Sequence, residues 1–226
     1  MTYPHVANKT ERLEYAVADS PLGPFKVTGV LMDERPDCWT NHQSITQIKN
    51  QWYLFYHYND LSPNFDKARS ARADSLFFNK DVTIKKVIPT LRRIGVTNAT
   101  SPIQIDRYSA TSGEGVSVNF MDTSDTFKGW KTILNKPGAW IQYNAVSFPK
   151  RKLKSVIVKA ASPTCGTLLV YTNNVNNPPM ATIAIPKTND WKEIKVPLTS
   201  FKSGTHNLII SLKTNSNVEV DWMKFE

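Results

Sequence analysis

Ser155-Val156-Ile157-Val158-Lys159-Ala160, Thr167-Leu168-Leu169-Val170-Tyr171 and Asn207-Leu208-Ile209-Ile210-Ser211-Leu212 are runs of strand length, rich in β-branched and aliphatic side chains. An aromatic run of the same kind, Trp52-Tyr53-Leu54-Phe55-Tyr56, stands well before them. Between such runs lie tight-turn signals: Pro21-Leu22-Gly23-Pro24, Lys49-Asn50-Gln51, Asn176-Asn177-Pro178-Pro179 and Ser203-Gly204. No segment keeps a helical period long enough to compete. The expectation is an all-β chain built as a sandwich, barrel or propeller.

Working outward, Gly95 to Pro102 is a run of small, polar and turn-forming residues between two strand-rich regions. It divides the chain into expected domains 1–97 and 98–226. The first has the texture of propeller blades, with strands at Glu14-Tyr15-Ala16-Val17-Ala18, Phe25-Lys26-Val27, Ser44-Ile45-Thr46-Gln47-Ile48 and Gln51 to His57. A four-stranded blade needs roughly 40–50 residues and a ring ~4–8 blades, so this part supplies about two blades and closes no ring. The second has the size and strand density of a complete β-sandwich of ~100 residues or slightly more, expected to fold alone.

With 226 residues, 40% of them hydrophobic, the chain is not disordered. No apolar run approaches the ~20 residues of a membrane span, and Met1-Thr2-Tyr3-Pro4-His5 lacks the pattern of an export signal. Membrane association is therefore not expected. Cys38 and Cys165 make neither a disulfide framework nor a zinc site, and read as two unpaired core residues. The surplus of 28 Lys and Arg over 19 Asp and Glu gives +9. Its densest cluster, Lys150, Arg151, Lys152 and Lys154, with Lys85-Lys86 and Arg92-Arg93 elsewhere, reads as solvated turns. Nucleic acid ranks third among the partner readings, because a nucleic-acid binder concentrates its cations on one face.

The segments Met1-Thr2-Tyr3-Pro4-His5, Leu13 to Phe25, Thr40-Asn41-His42-Gln43-Ser44-Ile45, Trp52 to His57, Phe65 to Ser70 and Asp74-Ser75-Leu76 together resemble the end of glycoside hydrolase family 43, a group of five-bladed propellers. The second half is similar to carbohydrate-binding module family 6, a jelly-roll sandwich often attached to them. That resemblance rests on Ile103 to Ser109, Pro137 to Tyr143, Asp190 to Ile194 and above all Val218-Glu219-Val220-Asp221-Trp222-Met223-Lys224-Phe225. The resemblance implies inverting hydrolysis of glycosidic bonds in hemicellulose, arabinofuranosidase- or xylosidase-like. One carboxylate activates water and another protonates the leaving oxygen.

By the resemblance, the family's catalytic carboxylates fall before Met1, so no catalytic acid or base is nominated. Asp19, Asp33, Asp37, Asp60, Asp66 and Asp74 read as turn or surface residues. Two positions match the family's active-site neighbourhood. His42 corresponds to a channel histidine that helps hold an ion or ordered water, the competing reading being a hydrogen-bonded core residue. Arg69 corresponds to an arginine that contacts the sugar, the competing reading being a surface ion pair. The chain is expected to bind carbohydrate and not to hydrolyse it. The alternative is a non-catalytic binding or structural protein whose open blade edges self-associate.

In the sandwich, Trp191 matches the tryptophan that walls the family's main cleft, where an aromatic ring packs on the apolar face of a pyranose. Trp130 is the candidate for the opposing wall, although the alignment brings Ile133 or Leu134 near it. Trp140 is a further candidate that also reads, with Tyr143, as core, and Trp222 reads as core. Glu219 stands where the family places an asparagine, replacing a donor and acceptor by an acceptor alone. Gln104, Asp106 and Asp221 match the ligands of a structural calcium, with Gln104 in place of a carboxylate. The expected partner is plant cell-wall polysaccharide, and the expected location of the parent protein is extracellular or periplasmic.

Overall fold

The computed structural model describes residues 1–59, 67, 69–90 and 94–226. Asp60, Phe65, Asp66, Ala68, Arg92 and Arg93, which figured in the sequence reading, lie outside them. The chain forms two compact units, 1–90 and 91–226. Among the described residues the only helix is a 3₁₀ turn, Thr126–Lys128, and no helix is long and apolar enough to cross a membrane.

The first unit holds strands β1 (Thr2–Ala7), β2 (Thr10–Val17), β3 (Lys26–Met32), β4 (Gln43–Ile48), β5 (Gln51–Tyr58) and β6 (Ser70–Leu76). They pair antiparallel as β1-β2-β3 and β4-β5-β6. Among the described residues each sheet thus has three strands where a four-stranded blade is expected. The inward residues of both sheets, Leu13, Tyr15, Leu31, Leu54, Tyr56, Tyr58 and Leu76, form one core with Met32, Cys38 and Val87.

Asp74 corrects the sequence reading: it is buried, not a surface acid. Tyr56 Oη donates to its Oδ2 (2.6 Å), Thr90 Oγ1 to its Oδ1 (2.6 Å) and the Thr90 amide to Oδ2 (3.0 Å). A buried carboxylate is tolerated because these donors replace water. The expectation holds for Asp19, Asp33 and Asp37, which are exposed. Of the cysteines, Cys38 is buried, whereas Cys165 is exposed in a turn rather than in a core.

The second unit contains β7 (Thr97–Asn98), β8 (Ile103–Gln104), β9 (Ala110–Thr111), β10 (Val116–Phe120), β11 (Trp130–Leu134), β12 (Trp140–Phe148), β13 (Ser155–Ser162), β14 (Gly166–Thr172), β15 (Ala181–Ile185), β16 (Thr188–Pro197), β17 (Gly204–Leu212) and β18 (Val218–Phe225). One sheet runs β10-β11-β18-β13-β16 with β8 on β18; the other runs β15-β14-β17-β12-β7 with β9 on β12. Thr97 pairs with Val146, so this sandwich already includes the residue expected to end the first domain. Period-2 alternation turns Val156, Val158, Ala160, Leu168, Val170, Leu208, Ile210, Leu212, Val218 and Val220 inward to a single core between the sheets. Gly166 sits where the sheets meet, and a Cβ there would collide with Val218 Cγ2.

Candidate carbohydrate-binding site

The outer face of the first sandwich sheet is set by register. Glu219 of β18 is flanked by Ile133 of β11 on one side and Ala161 of β13 on the other. Ala160 pairs with Lys192 and Ser162 with Thr188, so Ala161 faces the bulged stretch Asn189 to Trp191, with Trp191 next to the Lys192 that pairs with Ala160. Ile133, Glu219, Ala161 and Trp191 therefore succeed one another across four strands. Ala161 is buried yet belongs to no hydrophobic core cluster, as befits a small floor residue covered by outer side chains. With strands about 4.8 Å apart, Trp191 and Glu219 stand roughly 10 Å from each other over that floor.

Charged groups line the same face. Lys131 Nζ lies 2.8 Å from Glu219 Oε2, both side chains being half-buried. Lys159 Nζ lies 2.8 Å from Asp221 Oδ2 and 5.9 Å from the centroid of the Trp191 ring. One ammonium thus neutralises Asp221 while resting near the indole, a cation–π arrangement.

Trp130 does not stand opposite Trp191. Alternation along β11 puts Trp130 on the side of the buried Thr132 and Leu134, and Lys131 and Ile133 on the side of Glu219. Its ring packs on Phe120, centroids 4.0 Å apart. The aliphatic Ile133 occupies the wall, while Lys131, which the sequence reading passed over, is the added polar group. Tyr143 is core, and Trp140 is half-buried on the outer face of the other sheet. Trp222 is half-buried on the outer face as well, with Lys224 Nζ 5.3 Å from its ring centroid, rather than in the core.

Gln104, Asp106 and Asp221 come together at the junction of β8 and β18. Gln104 pairs with Trp222, and the Ile105 amide donates to the Asp221 carbonyl at 2.9 Å. Opposite the Lys159 to Ala160 step β18 carries an extra residue, Asp221, and this bulge lets a charged residue be buried inside the strand. Burial pushes the Asp106 carboxyl above its usual range; the Asp221 charge adds to this, and Arg107, with Nε 3.2 Å from Oδ2, opposes it. Tyr143 Oη donates to the carbonyls of Ile105 and Gln104. Among the described residues no group of three or more His, Cys, Asp and Glu has the arrangement of a metal site.

In the first unit, His42 is exposed, and its amide donates to His57 Nε2 at 3.1 Å. The two rings stack with centroids 5.8 Å apart. His57 is the buried member, with its basicity lowered by burial and then by the charges of Arg69 and His42. Arg69 is exposed just before β6. The Asn41 amide donates to Glu11 Oε2 at 2.8 Å. Among the described residues, both polar atoms of the buried Asn41 side chain, His57 Nδ1 and Asn59 Oδ1 have no hydrogen-bond partner. Such a group of orphaned atoms has capacity for water or a polar ligand. His57, the buried ring, supplies one of these atoms, while His42 lies exposed against it.

Two facing sheets with a tryptophan beside a small-residue floor and paired charges define a sandwich of the sugar-binding kind. The carbohydrate binding module (family 6) profile matches residues 107–226, and the chain belongs to that family. A beta-xylosidase of Xylanibacter ruminicola is 40% identical over 80 residues, 34% of this chain and 24% of the relative. An arabinoxylan arabinofuranohydrolase of Paenibacillus polymyxa is 22% identical over 209 residues, 87% of this chain and 33% of the relative. The chain thus spans about a quarter to a third of the length of these curated relatives. A crystal structure of a glycoside hydrolase family 43 arabinoxylan arabinofuranohydrolase from Bacillus subtilis, in complex with cellotetraose, superposes with a TM-score of 0.59 at 19% identity. It covers 98% of this chain and 53% of that one, a likeness of fold. These findings agree with a family 43 C-terminal portion followed by a family 6 sandwich, both all-β.

Proposed function

We propose that the chain serves hemicellulose breakdown, its sandwich holding xylan- or arabinoxylan-type polysaccharide for glycosidic hydrolysis of the family 43 kind. The observation that carries this reading is the succession Ile133, Glu219, Ala161, Trp191 across one sheet face. The indole offers a platform for the C–H face of a sugar, Ala161 leaves room for it, and Lys131 with Glu219 supplies a donor and an acceptor for hydroxyl groups. Gln104, Asp106 and Asp221 would offer a calcium ion two buried carboxylates and an amide oxygen, although Arg107 and Lys159 now pair with those carboxylates. A hard cation would have to replace these cations, and it would tie β8 to β18. His42 and Arg69 serve the propeller-like unit, alongside His57 and Asn41. Action on plant polysaccharide calls for a parent protein that is extracellular or periplasmic.

Isothermal titration with xylo-, arabino- and cello-oligosaccharides, with and without calcium, tests this reading beside Trp191→Ala. Binding of xylo-oligosaccharide that is lost in the variant is expected. Binding of no sugar by the wild type overturns the reading. A second reading, self-association of the first unit, draws on β1 and β4 being sheet-edge strands, and light scattering that finds only monomer removes it.

A further inference from the structure

The charge of this chain is unevenly divided. Seventeen of the 28 Lys and Arg but nine of the 19 Asp and Glu fall in residues 91–226, leaving that unit at +8 and the first at +1. Within it, Lys128, Lys131, Lys136, Lys159 and Lys195 each pair with a carboxylate. Lys150, Arg151, Lys152 and Lys154 are all exposed and, among the described residues, form no ion pair.

Three of those four line a groove of about 690 Å³, between the β12–β13 and β16–β17 connections, with Leu153, Leu198, Thr199, Ser200 and Phe201. Leu153 is buried, and Leu198 and Phe201 pack against the sandwich core, so the floor is apolar and fixed. The backbone is fixed as well: the Leu198 amide donates to the Lys154 carbonyl at 2.9 Å, and the Lys154 amide to the Glu226 carbonyl at 2.6 Å. Glu226, whose carbonyl takes part in this frame, has its side-chain carboxylate paired with Lys195. The groove lies at the Ser155 end of β13, while the Trp191 face lies at its Ala161 end, about 20 Å away at ~3.3 Å per residue.

We propose that this groove is a second carbohydrate site, one that takes an acidic glycan carrying uronate carboxylates. Lys150, Lys152 and Lys154 neutralise the carboxylates, Ser200 meets a hydroxyl group, Thr199, whose Oγ1 donates to the Pro179 carbonyl at 2.8 Å, can accept from another, and the half-buried ring of Phe201 offers an apolar surface to a sugar face. Charge complementarity selects this occupant, and hydroxyl side chains beside a single aromatic ring suit a sugar better than a stack of bases.

The test titrates the full chain at low salt with a glucuronic-acid-bearing xylo-oligosaccharide and its neutral counterpart. Lys150→Gln/Lys152→Gln/Lys154→Gln, Phe201→Ala and Trp191→Ala are compared, with circular dichroism to verify folding. An acidic-probe preference of about tenfold in the wild type, lost in the triple variant and at 0.5–1 M salt but kept in Trp191→Ala, supports the site. A preference that survives in the triple variant, or no preference at all, overturns it. So does equal salt-sensitive binding of arbitrary duplex DNA. Because Trp191→Ala reports on the other face, failure here is separable from failure of the proposed xylan reading.

Discussion

Lys131 Nζ and Glu219 Oε2 lie 2.8 Å apart, across neighbouring strands β11 and β18, beside the Ile133 that pairs with Glu219 directly. Neither residue alone reproduces an amide, which both donates and accepts, but the pair does. If the two act together on a sugar diol, Lys131→Met and Glu219→Ala each weaken oligosaccharide binding by about fivefold. The double variant should then lose less than the product of the two, a coupling of about 1 kcal/mol. Titration calorimetry of the cycle checks this, and strict additivity would refute the paired role.

His57 makes the first unit sensitive to acid. Its folded-state basicity is lowered, with burial the main cause, so the unfolded chain takes up a proton first as pH falls below about 6.5. Stability is therefore full above that pH and is lost as pH falls toward the depressed folded value. Protonation would also cost the bond in which Nε2 accepts from the His42 amide. Melting curves between pH 8 and pH 5 should show this loss, and His57→Gln should flatten it. Parallel curves for the two proteins would argue against the assignment.

Asp74 ties β6 to β5 through Tyr56 and to the end of the unit through Thr90. Removing it leaves three donors facing a cavity, and Asp74→Ala should destabilise the first unit by about 3 kcal/mol. Tyr56→Phe removes one donor and should cost about 1 kcal/mol. Urea unfolding followed by tryptophan fluorescence measures both, and a smaller effect for Asp74→Ala than for Tyr56→Phe would contradict the network.

Much of the fold was legible because its signals are local. The strand at Ser155 to Ala160, the hairpin partner from Gln51 to His57 and the closing Asp221-Trp222 motif all lie where the sequence indicates. The faces were less legible. Trp130 looked like a cleft wall and Trp222 like core, and both assignments fail on alternation and on the bulge at Asp221. Asp74 looked like a surface acid because its partners, Tyr56 and Thr90, each lie 16 or more residues away.

By itself the sequence determined the strand-and-turn rhythm, the change of character near Gly95 and the family motifs, since each is written in consecutive residues. Only the tertiary structure decided that Lys131 meets Glu219, that Ala161 forms a floor beside Trp191, that His57 rather than His42 is buried, and that Lys150, Lys152 and Lys154 share a groove with Phe201. The physical reason is register: a one-residue slip moves a side chain to the other face of a sheet, and pairing between distant strands fixes it through the packing of the whole core.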